Sequence, residues 1–452
     1  MSGDIYTMAI HPIEFRYGTS RMKSVWGEEH RFTCIIDAEI SLAKAEADYD
    51  MIPKAAAEEI ATKATFATLT RAKEIEDEIH HDMMAIVRAI SEVCGESGRW
   101  VHYGATSNDM LDTATGLQIR DALVIIEEGL KELLRVLITR AEENIDLVCV
   151  ARTHGQHGVP TTYGLRFAIW ASEIGRHIER LTQMKPRVCV GQMTGAVGTQ
   201  AALGSKGIEV QQRMMEYLSL SSVDVSNQVI QRDRYVEYFC FLAGVATTLD
   251  KIGIEIRSLQ RTEIGEVEEA FGKNQVGSST MPHKRNPIKS EQVCGLARIV
   301  RAAVEPAMQN NTLWDERDLT NSSCERVIFP EATILCDHII GIMRDVLGGL
   351  IIRQDRVRQN LCMLHGINMA ESVMIDLTRR GMGRQEAHEL IRIASMQALS
   401  DNRSLSEILQ EKMEITQYIS KEEINALLMP EHYLGTSREQ IEKVVLKLRV
   451  LC

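Results

Sequence analysis

The chain has 452 residues, enough for two or three domains with sizeable cores. It is rich in Ala, Leu, Ile, Glu and Met, and its formal net charge of -12 argues against a nucleic-acid-tracking surface, which needs a basic excess. A local cationic pocket for a small anion stays open. The ten cysteines include no Cys-x-x-Cys pair, so neither a zinc site nor a redox dithiol is supported. No N-terminal apolar signal region and no bilayer-length apolar stretch is present. A cytoplasmic protein with reduced thiols and no membrane contact is expected.

In chain order, the first hundred residues read as a mixed helical domain closing near Trp100-Val-His-Tyr-Gly104. The polar segment His102 to Asp112 follows, with Thr106, Ser107, Asn108 and Asp109 in the pattern of a helix cap. From Asp112 to Asp146 apolar residues recur at Leu117, Leu123, Ile126, Leu130, Leu133, Leu134, Leu137 and Ala141, which predicts a long helix. Arg152-Thr-His-Gly-Gln-His-Gly-Val-Pro-Thr-Thr162 is a second polar segment, before a helix over Leu165 to Met184. Glycines between Arg187 and Gly207 predict a non-helical excursion, with a short hairpin around Val188 to Met193. Proline-free Arg232 to Glu269, Ile288 to Met308 as far as Pro306, and Glu331 to Gln359 add further helices. Helices of thirty residues run roughly 45 Å and imply an elongated bundle. Beyond about Arg356 the helices shorten, broken at Gly381, Gly383, Pro430 and Gly435. The expected domains are 1–105, 106–355 and 356–452.

Between the long helices lies Gly277-Ser-Ser-Thr-Met-Pro-His-Lys-Arg-Asn-Pro287. Glycine and serines start a loop, Pro282 breaks regular structure, and Asn286-Pro287 reads as an N-cap with proline at the first helical position. Taken singly, this loop and the two polar segments read equally as surface turns and caps.

Taken together they resemble the three signature regions of the fumarase/aspartase superfamily, whose loop motif Gly-Ser-Ser-x-Met-Pro-x-Lys-x-Asn-Pro is complete here. Four further segments are similar to those of adenylosuccinate lyases: His11-Pro-Ile-Glu-Phe-Arg-Tyr17, Trp100 to Gly104, Arg152 to His157, and Glu316-Arg-x-Leu-x-x-Ser-Ser-x-x-Arg326. Two positions depart from that pattern: His80-His81-Asp82 stands where Arg-His-Asp is common, and Gly158 where alanine is frequent. The resemblance implies an all-α, three-domain fold whose central long-helix bundle assembles into a homotetramer with active sites shared between subunits. It also implies elimination of fumarate from adenylosuccinate and SAICAR, with no metal, no organic cofactor, no nucleic acid and no membrane. Its rivals are argininosuccinate lyase, carboxymuconate cycloisomerase or a non-catalytic structural homologue.

By the same resemblance Ser278 is the base, His154 the general acid, and Glu291 orients His154. Lys284 and Asn286, with the helix start at Pro287, stabilise the intermediate anion. Thr106, Ser107, Thr153 and Ser279 hold succinyl carboxylates. His81 and His102 hold the phosphate and succinyl ends, and Arg16 and Tyr17 bind phosphate. Gln228, Arg317, Ser322 and Arg326 contact the nucleotide, while Asp82 and Met281 complete the binding set.

Overall fold

The computed structural model describes residues 9–272, 280, 281 and 283–452. Ser278 and Ser279 lie outside them. The all-α expectation holds: helices carry the chain, and among the described residues strands occur only as three two-stranded pairs. No described helix is long and apolar enough to cross a membrane. The expected 112–146 helix is Ser107–Glu143, 37 residues or about 55 Å long. Its stripe is the reason it forms: Leu123, Ile126, Leu130, Leu133, Leu134 and Leu137 are all fully buried. Truncating any one to alanine is expected to cost about 2–5 kcal/mol.

The chain divides into two units, Met1–Leu130 with Arg176–Leu249 and Gly295–Gly341, and Lys131–Gly175 with Asp250–Cys294 and Ile342–Cys452. The division points fall inside helices that the sequence marks as long, among them Ser107–Glu143, Tyr163–Val188, Asp233–Leu259 and Thr320–Gly349. In the first unit Phe32, Ile35, Leu42, Ile60, Ile75, Met83, Ile90 and Met214 share one core, built by the Glu28–Asp48 helix and the shorter helices around it. In the second, Val373, Leu377, Ile391, Leu405, Ile408, Ile415 and Ile424 form a separate core of short helices.

Four boundaries differ from expectation, each for a local reason. The glycine-rich excursion exists, but Val190–Gly191 pairs in parallel with Ser221–Ser222 rather than forming a hairpin. Gly191 serves close approach instead of a turn, since a Cβ there would lie 2.4 Å from Met215 Sδ and 2.8 Å from Thr113 Oγ1. The helix from Asp233 stops at Leu259, where Arg261 to Gly265 turns and the Glu266 N–H returns to the Leu259 carbonyl at 3.0 Å. The helix expected from Glu331 begins at Thr320, runs through Pro330 and ends at Gly349, with a new helix at Gln354–Cys362. Ile288–Ala302 gives way to Val304–Gln309 before Pro306 is reached, so the proline sits inside the second piece.

Candidate active site

In the first unit, Arg16 and Tyr17 end a one-turn helix, Pro12–Phe15. The Tyr17 ring packs 5.5 Å from that of His338, and Arg16 stays exposed. Gly18 makes this possible: its φ is +89°, and a Cβ would lie 2.3 Å from Ile334 Cγ2.

His81 caps the Asp82–Cys94 helix, its Nδ1 accepting the Met84 N–H at 3.2 Å. In the neutral ring the proton therefore sits on Nε2, which leaves that atom as the donor. His80, the extra histidine, ends the preceding helix in the left-handed conformation at φ 55°. Asp82 accepts the Met83 N–H at 2.7 Å and Arg326 Nη2 at 2.6 Å. Burial opposes its ionisation, but the Arg326 guanidinium and that N–H outweigh burial and lower its pKa.

Arg317 donates to Gln228 Oε1 at 3.0 Å, and the Gln228 amide donates to the Ala196 carbonyl at 2.7 Å. Arg317, Ser322 and Arg326 line a cavity of about 140 Å³ together with Arg31, Arg232 and Glu325. The guanidiniums are not equally compensated. Arg232 is held by Asp112 at 2.8 and 2.9 Å and by Glu325 at 3.0 Å. Arg31, absent from the sequence reading, has Glu28 only at a loose 3.8 Å, and burial with the nearby Arg326 lowers its pKa. Uncompensated guanidinium charge in a small cavity suits an anion.

Thr106 precedes the long helix and Ser107 is its first residue. Asp109 reaches back to the Thr106 N–H at 2.9 Å, half of a capping box, and accepts the Thr194 N–H at 2.8 Å and the Gly195 N–H at 3.1 Å. The expected capping cluster is thus real, and it ties the helix start to the glycine-rich excursion. His102 stands just before it at φ 65°, clasped by Glu39, a residue the sequence reading missed.

In the second unit the Arg152 segment forms the β-hairpin that the sequence reading placed elsewhere, with Val148–Thr153 antiparallel to Gln156–Thr162. His154 and Gly155 make its two-residue turn with φ of 55° and 76°, the sign pattern of a primed turn. Thr153 and His154 are therefore exposed at a tip. Arg152 is the anchor: it pairs at 2.6 Å with fully buried Glu266, which also accepts Tyr163 Oη at 2.7 Å and the Asn360 amide at 2.9 Å. Burial would raise the Glu266 pKa, but these donors, Arg152 foremost, lower it.

Met281, Lys284, Asn286 and Glu291 line an open groove of about 890 Å³ with Arg257 and Arg261, so its lining is cationic. The helix start itself is a correction. Pro287 stands at the cap, one residue before the first helical residue Ile288, and Glu269 supplies the side-chain acceptor in place of Asn286. Its carboxylate accepts the N–H groups of Lys289 at 3.1 Å and Ser290 at 2.7 Å. A carboxylate already answers the positive end of that helix. Among the described residues no hydrogen bond or ion pair joins Glu291 to His154. The base assigned to Ser278 and the contact assigned to Ser279 lie outside those residues.

A family model described as Lyase matches residues 14–302, and one described as Adenylosuccinate lyase C-terminus matches residues 366–444. Adenylosuccinate lyase from Pyrococcus horikoshii is 52% identical over 440 residues, covering 97% of this chain and 98% of its own length. Adenylosuccinate lyase from Methanocaldococcus jannaschii is 51% identical over 446 residues, covering 98% of this chain and 96% of its own. Among solved structures, fumarate lyase from Mesorhizobium sp. BNC1 superposes with a TM-score of 0.87 at 30% identity, covering 95% of this chain and 98% of that one. The 3-carboxy-cis,cis-muconate lactonizing enzyme from Pseudomonas putida gives 0.86 at 32% identity, covering 96% and 98%. The backbone is thus common to enzymes of several chemistries, whereas half of the residues are shared with one of them. This chain belongs to the adenylosuccinate lyase family of the fumarase/aspartase superfamily.

Proposed function

We propose that this chain eliminates fumarate from adenylosuccinate, leaving AMP, and from SAICAR, leaving AICAR, as part of purine biosynthesis. In this reading it works in the cytoplasm as a homotetramer whose subunits share active sites. The observation that carries the reading is identity of 50–52% over nearly the full length to adenylosuccinate lyases of several archaea.

Elimination breaks a Cβ–H bond and a C–N bond on opposite sides of the substrate. Ser278 takes the Cβ proton, and the electron pair moves into the adjacent carboxylate as a doubly negative aci-carboxylate. Holding that charge is the costly part, and preorganised donors supply the largest catalytic contribution. Lys284 and Asn286 do this from the cationic groove that Met281 also lines, and Ser279 contributes a contact to a substrate carboxylate. As the anion collapses to fumarate, the departing nitrogen takes a proton from His154, which Glu291 orients. An exposed hairpin tip is a suitable place for an acid that enters a site completed by another subunit. Thr153, Thr106 and Ser107 bind the succinyl carboxylates. Arg16 and Tyr17, with His81 Nε2, take the phosphate, and Gln228, Arg317, Ser322 and Arg326 hold the nucleotide. Asp82 keeps Arg326 in place.

The test is to add adenylosuccinate to the pure protein and follow the fall in ultraviolet absorbance as AMP forms. The likeness to a muconate lactonizing enzyme favours a second reading, cycloisomerisation of a carboxymuconate. Turnover of 3-carboxymuconate with none of adenylosuccinate would establish that reading in place of the first.

A further inference from the structure

His102 occupies an uncommon backbone state for a non-glycine residue, φ 65°, which persists only where its surroundings hold it. One side chain holds it. Glu39 Oε2 accepts the His102 backbone N–H at 3.0 Å, and Glu39 Oε1 lies 2.6 Å from ring Nδ1. The Glu39 side chain is fully buried and that of His102 is 11% exposed. With one carboxylate oxygen committed to the backbone and the other to Nδ1, the ring can neither flip nor change tautomer without breaking the clasp. Among the described residues Nε2 makes no hydrogen bond.

We propose that Glu39 is a positioning residue for the elimination: it fixes His102 with the proton on Nδ1 and so reserves Nε2 for a carboxylate of the succinyl substrate. This rests on the reading that His102 contacts substrate. A carboxylate needs a donor at Nε2, so the ring must carry a second proton when substrate binds. The surroundings favour this. Burial disfavours the charged ring, but the Glu39 carboxylate, its hydrogen bond and the more distant Asp109 outweigh burial and raise the His102 pKa. Those are the charged groups acting on the ring, Glu39 from the Glu28–Asp48 helix and Asp109 from the start of Ser107–Glu143. Glu46, seven residues after Glu39, is fully buried, and among the described residues neither of its oxygens has a hydrogen-bond partner. Burial, with Glu39 nearby, pushes its pKa up to about 9, so it stays protonated.

The sign follows. A raised histidine pKa means that the cation is present below it and lost as pH rises through it. KM for adenylosuccinate should therefore climb with pH above a point higher than the ordinary histidine value. Glutamine at position 39 has one acceptor where the clasp needs two, and no charge. Glu39→Gln is expected to raise KM at neutral pH by about tenfold with a smaller change in kcat, and to move the KM inflection to lower pH. In the His102→Asn background the same substitution should add nothing to KM. Equal losses in both backgrounds, or an unchanged inflection in a folded Glu39→Gln protein, overturn the proposal. Nitrogen-15 histidine shifts of the unsubstituted protein test it without any variant: a neutral His102 protonated on Nε2 refutes it. If instead His102→Asn leaves KM unchanged, the substrate contact itself is refuted, while the nitrogen shifts still report separately on the clasp.

Discussion

Glu46 is a carboxyl that burial keeps from behaving as an acid. A carboxyl with no hydrogen-bond partner among the described residues stays neutral in a helical core, and its pKa of about 9 lies far above the ordinary carboxylate range. The folded chain then holds a proton that the unfolded chain releases. This contribution is fully present below the ordinary carboxylate range and is lost as pH rises toward 9. Glu46→Gln should flatten the fall in Tm between about pH 6 and 9 and stabilise the protein at pH 8 by on the order of 3 kcal/mol. Calorimetry across that range checks it, and a slope equal to that of the unsubstituted protein counts against a neutral Glu46. At the same scale, Ser278→Ala should lower kcat by about 10²–10⁴-fold with an unchanged Tm. Near-normal turnover would remove serine 278 as the base.

At the scale of elements, the hairpin tip bearing His154 depends on what holds its base. Arg152 and Glu266 form a buried pair with Tyr163 and Asn360 completing the carboxylate's bonds. Removing one partner strands the other charge. Arg152→Met is expected to cost about 3–5 kcal/mol in denaturant unfolding, with kcat reduced because the tip is no longer aimed. A change below about 1 kcal/mol would mean that Glu266 finds other compensation. The same element shows where sequence patterning misleads. Arg152 to Thr162 is crowded with polar side chains and reads as a helix approach, yet it pairs as a hairpin with Val148–Thr153 antiparallel to Gln156–Thr162. The glycines at 191, 195 and 198 suggest a hairpin that is not there. Gly191 is small because Met215 and Thr113 crowd it, and that crowding exists only once the helices have packed.

At the scale of the whole molecule, the site residues fall into two groups. One unit holds Arg16, Tyr17, His81, His102, Gln228, Arg317 and Arg326, and the other holds His154, Lys284, Asn286 and Glu291. The proposed tetramer, with sites shared between subunits, would give this division a purpose. Light scattering on the purified protein should return four times the chain mass of 50.8 kDa. If base and acid come from different subunits, mixing inactive Ser278→Ala and His154→Ala chains under subunit exchange should restore part of the activity. Persistent inactivity of the mixture would place both residues on one subunit.

The sequence by itself determined the long helices, because a stripe such as Leu123 to Leu137 has one way to be buried. It also determined the family, because the signature loop and the four flanking motifs are local strings. It proposed His102, His154, Arg317 and Arg326 for the site, which those strings contain. Only the tertiary structure decided what supports them. Glu39 lies 63 positions from His102, Glu266 lies 114 from Arg152, Asp82 lies 244 from Arg326, and Glu269 reaches a helix start 21 residues on. No periodicity records such pairs. An acid on an apolar helix face, as Glu39 is, is the trace that its pair leaves in sequence. Desolvation makes such an acid costly unless a distant residue answers it, and which residue does so is settled only when the helices pack.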